Sequence, residues 1–366
     1  MIPRARHLAA VALSALLMLP AFGGHAAASA AGFVYSVTLT KTATDVQKVA
    51  EYWKPERLKQ ADSYSPATPG SRSEGSTAAG ASLGGIQTAA TTAAATTAAS
   101  KRKAVVSVAP ALPQKGTAAK TMGKVFFRFG DKEYWCSASA VAARNRSVVA
   151  TAAHCAYDPR QGKAAQYWIF VPNPGPDGAT PDGIYVGSSI SMHEHWPGKG
   201  DYDFDYAFVT VNRGFTWASK DGKLVTQDVG RLQDNVGGQG LALTKGLGNT
   251  IHAFGYPAGP QPDGSRPFDG RTLRTCIGTT RKTVAPSLDL QFGVQLQPCN
   301  FSAGASGGAW LIDYRSSQQL GGLNGINSLT WNRDAKEGYD AVSSPPFTVT
   351  TGQVYQRAAT LNTPQM

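Results

Sequence analysis

From residue 122 onward the sequence is cut into short apolar runs separated by Gly, Pro, Asn or Asp, and this punctuation restricts the fold more than any other feature. Residues 124–129 stop at Gly130-Asp131 and the apolar character resumes over 133–139, the mark of a hairpin. Further runs occupy 147–151, 167–171, 206–211, 251–255, 288–296, 309–312 and 322–327. No long helical period competes with them, and one helix is expected near 354–360. Many short strands over a stretch of this length require an all-β fold, either a sandwich or a pair of barrels.

The front of the chain is different. Arg4, Arg6 and His7 precede an apolar run over 8–22, and Ala28-Ser29-Ala30 offers small residues for cleavage, so residues 1–30 read as a secretory signal. Later residues contain no run of about 18 apolar positions, so no membrane span is expected once the signal is gone. Residues 45–53 fit one amphipathic helix, and from Asp62 the chain turns into a Pro, Gly, Ala and Thr-rich linker reaching Ser100. Lys101-Arg102-Lys103 follows as a candidate processing site. The expected organisation is a signal peptide over 1–30, a pro-region over 31–121 and a folded domain over 122–366. Of the net charge of +11, residues 1–30 carry +2 and 31–121 carry +6, leaving +3 for 122–366. A domain so nearly balanced gives no electrostatic reason to bind nucleic acid.

In the 301–311 segment, Ser306 stands among Gly304, Gly307 and Gly308 and before an apolar run. Such glycines leave room for a substrate carbonyl and allow backbone N–H groups to converge on one point, so Ser306 is the candidate nucleophile. His154 lies in Thr151-Ala152-Ala153-His154-Cys155, at the end of a predicted strand. Cys136 is 19 positions before Cys155 and one hairpin away, which predicts bridges Cys136–Cys155 and Cys276–Cys299 in an exported protein. The acid that orients the imidazole is expected in Asp201-Tyr202-Asp203-Phe204-Asp205: Asp205 leads into the apolar run, and Asp203 is the alternative. The same stretch has Tyr206 where a calcium loop needs Gly, and His193 and His195 lack a nearby third ligand, so no metal and no cofactor are expected. Gly304-x-Ser306-x-Gly308 also matches a nucleophile elbow, but that fold needs a histidine after the serine, and none of the six histidines follows Ser306.

Taken in order, Thr-Ala-Ala-His154-Cys, Asp205-Tyr-Ala-Phe and Gly304-Ala-Ser306-Gly-Gly, at separations of 51 and 101, resemble the signature segments of chymotrypsin-like serine peptidases. Cys136-Ser137-Ala138, Phe254-Gly255-Tyr256-Pro257 and the lack of an Ile-Val-Gly-Gly start resemble secreted bacterial enzymes related to glutamyl endopeptidases. The resemblance covers about 122–366 and implies two six-stranded antiparallel β-barrels with the site in the cleft between them. It implies a secreted, monomeric endopeptidase acting on proteins or peptides through Ser306, His154 and Asp205, with Gly304 and Ser306 N–H groups as the oxyanion hole. Substrate contacts would come from Asn300, Asn327 and Ser328, with residues 325–329 pairing with the substrate backbone. Ala305 replaces the Asp that completes activation of trypsin-type zymogens, so the oxyanion loop must form by another route. Asn300 and Asn327 stand where relatives with basic or glutamyl preference carry Asp and His. The competing reading is a non-catalytic binding protein or adhesin on the same scaffold.

Overall fold

A computed structural model describes residues 32–64, 118–175, 177–334 and 338–363. The signal peptide, most of the linker and the Lys101-Arg102-Lys103 cluster lie outside the described residues. The largest sheet has eight strands. Its path runs Val34–Thr38, Tyr185–His193, Ala207–Val211, Val148–Thr151, Lys132–Val141, Met122–Phe129 and Gln166–Pro172, and Gln166–Pro172 pairs back onto Tyr185–His193. Six of these strands thereby close an antiparallel barrel. The expected hairpin opens it, with Phe129 opposite Lys132 across Gly130-Asp131 and Gly130 at φ +58.

A five-stranded sheet follows in the order Gly240–Leu241, Leu320–Ile326, Ala309–Arg315, Thr250–Gly255 and Arg274–Thr279. Beside it a four-stranded sheet orders Arg281–Lys282, Val294–Leu296, Ala341–Ser344 and Leu329–Trp331. The molecule is all-β with the chymotrypsin-like double-barrel architecture. The C-terminal helix, Val349–Thr360, packs its Tyr355 against Phe208 of the first barrel. Both expected disulfides are present, Cys136–Cys155 and Cys276–Cys299.

Three expectations are corrected. Residues 288–296 do not form one strand: a 3-10 turn at Pro286–Leu288 and a left-handed Asp289 (φ 52) precede a short strand, Val294–Leu296. Tyr185–His193 was not apparent as a strand because its serines break the apolar alternation, yet all nine residues are buried. A strand enclosed on both faces need not alternate. Third, residues 62–64 are not linker. Asp62–Ser63 pairs in parallel with Tyr134 and Trp135, and Val34–Thr38 pairs residue for residue with 189–193, so the front segment is built into the barrel. Between them, the expected helix forms over Ala43–Tyr52, started by a capping box in which Thr42 and Asp45 exchange hydrogen bonds.

Candidate active site

Strands Val148–Thr151 and Ala207–Val211 are neighbours, with Ala207 opposite Thr151. Each strand therefore delivers its polar flank to the same end of the barrel. The turn Ala153–Cys155 carries His154, and the turn Tyr202–Phe204 ends at Asp205. Asp205 Oδ2 lies 2.8 Å from His154 Nδ1, and Oδ1 accepts the His154 backbone N–H at 2.9 Å. Ser328 Oγ donates to Oδ2 at 2.6 Å. A carboxylate buried to 0% exposure thus has three hydrogen-bond partners, which offset its desolvation and fix the ring that it faces. Asp203 points elsewhere, accepting the N–H groups of Gln291 and Phe292. Burial raises its pKa, and those two backbone donors oppose the rise.

His154 Nε2 is buried and has no hydrogen-bond partner among the described residues. No bond from Ser306 Oγ reaches it in this structure. Such contacts are often long before substrate arrives. The half-buried Ser306 comes from the second set of strands, and its carbonyl accepts Ser137 N–H at 2.8 Å. Gly307 (φ +79) explains how the loop can come so near the first barrel, because a Cβ there would stand 2.1 Å from Thr151 Oγ1 and 2.4 Å from Ser137 O.

The loop's carbonyls are strapped away from the cleft. Ala303 O accepts from Ala258 and Gly259 N–H, both at 2.9 Å, and Ala305 O accepts from Gly308 N–H at 3.0 Å and Asn327 Nδ2 at 2.9 Å. In a trans peptide the next N–H points opposite to the carbonyl. The N–H groups that follow belong to Gly304 and Ser306, and among the described residues neither has an acceptor. Two backbone donors on the loop that carries Ser306 are thus left without a backbone acceptor among the described residues.

No protein-family model and no curated protein sequence matches the chain. Among solved structures, the thermostable serine protease AL20 from an extremophilic microorganism is 28% identical over 67% of this chain and 99% of its own, with a TM-score of 0.54. Protease Anisep from Arthrobacter nicotinovorans is 29% identical over 68% and 100%, also at 0.54. A Glu endopeptidase in complex with MPD matches at 14% identity over 68% and 98%, with a TM-score of 0.47. The chain is thus similar to serine proteases over a domain-sized stretch, at 28–29% identity to the first two.

The remaining expected site residues take different roles. Asn327 is 2% exposed, and its amide is fully engaged inside: Nδ2 donates to Phe254 O and Ala305 O, and Oδ1 accepts from Trp310 Nε1. It braces the loop that carries Ser306, and both polar atoms of its side chain have partners inside the protein. The Ser328 hydroxyl likewise faces Asp205. Asn300 is exposed and fixed through its carbonyl, which accepts Gln261 Nε2 at 2.9 Å. Residues 325 and 326 pair with Trp310 and Ala309 in the five-stranded sheet, whereas Leu329–Trp331 is one of the two edge strands of the four-stranded sheet. Ser137 was missed as a site residue: its hydroxyl donates to Gly304 O and accepts Tyr256 N–H, both at 2.8 Å. These bonds hold the loop that carries Ala305 and Ser306.

His193 stacks on Phe33 and Phe204, and its Nδ1 accepts His195 N–H. Burial depresses its pKa to about 4, so the ring is neutral across the ordinary pH range. Cys136, Cys155 and His154 lie close together, but the disulfide removes both thiolates as metal ligands.

Asn327→Asp is expected to cost more than Asn327→Ala. Alanine leaves Trp310 Nε1–H without its acceptor and takes the side-chain donor from Phe254 O and Ala305 O, the latter keeping Gly308 N–H; a buried group left unpartnered costs about 1–3 kcal/mol. Aspartate keeps the acceptor for Trp310 but sets a carboxylate against two carbonyl oxygens. Thermal unfolding and kcat, measured for both variants, check the order.

Proposed function

We propose that this peptidase is a secreted serine endopeptidase that cleaves peptide bonds through an acyl-enzyme on Ser306. The observation that carries the reading is the Asp205-held His154, with its unpartnered Nε2, beside a loop whose Gly304 and Ser306 N–H groups have no acceptor. Ser306 Oγ attacks the scissile carbonyl carbon as its proton passes to His154 Nε2. The carbonyl oxygen becomes an oxyanion between the Gly304 and Ser306 N–H groups. Collapse breaks the C–N bond, with the leaving nitrogen taking the proton from His154, and leaves an ester on Ser306. Water then enters by the same route, its proton going to His154 and returning to Ser306 Oγ as the acid departs. Asp205 holds the imidazole in the tautomer with Nδ1–H and stabilises the imidazolium. The edge strand Leu329–Trp331 offers a free backbone ladder for an extended peptide.

Residues 1–30 serve as the export signal, and the catalytic chain starts, after processing of the pro-region, between Lys101 and Lys124. A fluorophosphonate probe is expected to label the purified protein on Ser306 alone, with parallel loss of casein hydrolysis. Labelling at another residue, or hydrolysis surviving in Ser306→Ala, would refute the proposal.

A further inference from the structure

The residues ahead of the processing region form more of the first barrel than a discarded leader needs to. Thr38 to Val34 hydrogen-bond along the edge of Tyr185–His193, and this contact continues as Leu39 N–H and Thr40 Oγ1 donate to Ser188 O and Gly187 O. The following helix buries Val46, Val49 and Ala50, and its C-cap Trp53 is at 0% exposure with its indole N–H on Tyr167 O. Tyr52 stacks on Tyr167 at 3.8 Å and shares Glu133 with Arg57. Without this layer Ile169, Val171, Ile184, Val186 and Phe215, all now 0–1% exposed, would lose their cover. Contiguous apolar patches of that kind are rare on soluble monomers.

The segment ends at the active site. Tyr64 N–H donates to Trp135 O at 2.9 Å, one residue before the cysteine bridged to Cys155. Its ring packs on Phe127 and Tyr134 and lies 6.0 Å from the His154 ring. The same Trp135 supports the oxyanion loop, since a Cβ on Gly304 would stand 2.5 Å from its indole. A cavity of about 250 Å³ opens beside His154; Tyr64, Tyr157, Trp196 and Tyr202 give it aromatic walls, and Asp158, Arg160 and Lys199 also line it.

We infer that residues 33–64 stay bound to the active enzyme after processing, and that Tyr64 forms a wall of the substrate cleft, favouring an apolar or aromatic substrate side chain next to His154. The inference rests on reading the site as a peptidase. Cutting between Lys101 and Lys124 then yields a two-chain enzyme held together without a covalent link, because none of the cysteines lies before residue 136.

The test begins with active protein purified from the medium by gel filtration and then denatured for mass spectrometry. A chain containing 33–64 is expected in equal amount with the catalytic chain. Active enzyme lacking it would overturn the inference. Peptide-library profiling of Tyr64→Ala is expected to show about a tenfold drop in kcat/KM for substrates with an apolar or aromatic residue at one position, with preferences elsewhere retained. Tyr64→Phe is the control that should keep the wild-type profile; if the alanine variant does not fold, Tyr64→Leu takes its place and is expected to shift the preference at that same position. An unchanged profile, an even loss at every position, or a rise in activity would each overturn the assignment of Tyr64, the last marking the segment as an inhibitor. If 33–64 is retained but the wild-type protein neither labels with fluorophosphonate nor cleaves peptides, the peptidase reading fails while the retention stands.

Discussion

Replacing His154 with alanine is expected to lower kcat on a chromogenic peptide on the order of 10⁶-fold. In the proposed mechanism Nε2 of this ring takes the Ser306 proton, and among the described residues it has no hydrogen-bond partner. Because the serine and the imidazole act as one unit, His154→Ala combined with Ser306→Ala should be hardly worse than either alone. Catalysis left over would come from the Gly304 and Ser306 N–H pair and from substrate binding. Thermal unfolding close to wild type would show that the loss is chemical. A decrease under about 100-fold would mean that His154 is not the base.

Asp205→Asn should cost about 10⁴-fold in kcat with little change in KM. The reason lies in the two-point contact. One oxygen must still accept the His154 backbone N–H, now 2.9 Å from Oδ1, so the amide NH₂ falls opposite Nδ1. That nitrogen must then accept, the ring proton moves to Nε2, and Nε2 can no longer take a proton from Ser306. Asp203→Asn provides the contrast: it weakens acceptance from Gln291 and Phe292 N–H groups, and is expected to lower stability while leaving kcat near wild type. Equal losses in the two variants would refute this division of roles.

Some of this was legible one residue at a time. Thr-Ala-Ala-His-Cys and Gly-Ala-Ser-Gly-Gly are local motifs whose chemistry depends on neighbours in sequence. The hairpin over Met122–Phe129 and Lys132–Val141 is likewise local, set by Gly130-Asp131 between alternating strands. The serines of Tyr185–His193 concealed a strand, since burial on both faces depends on elements elsewhere in the chain. Asn327 and Ser328 were expected to meet substrate because sequence position says nothing about side-chain direction. They turn instead to Trp310 and Asp205, 17 and 123 residues away.

The sequence by itself determined the all-β class, the two disulfides, the candidate residues His154, Asp205 and Ser306, and the need for an oxyanion loop that forms without an Asp at 305. Turn chemistry, cysteine spacing and motif order are local information, and they survive without coordinates. Only the tertiary structure decided that Asp205 rather than Asp203 meets His154, that Ser137 and Asn327 strap the nucleophile loop, and that residues 33–64 complete the barrel beside the cleft. Those are contacts between segments far apart in the chain, such as Ser137 and Gly304, 167 residues apart. Their partners are selected by packing geometry, which no single stretch of sequence carries.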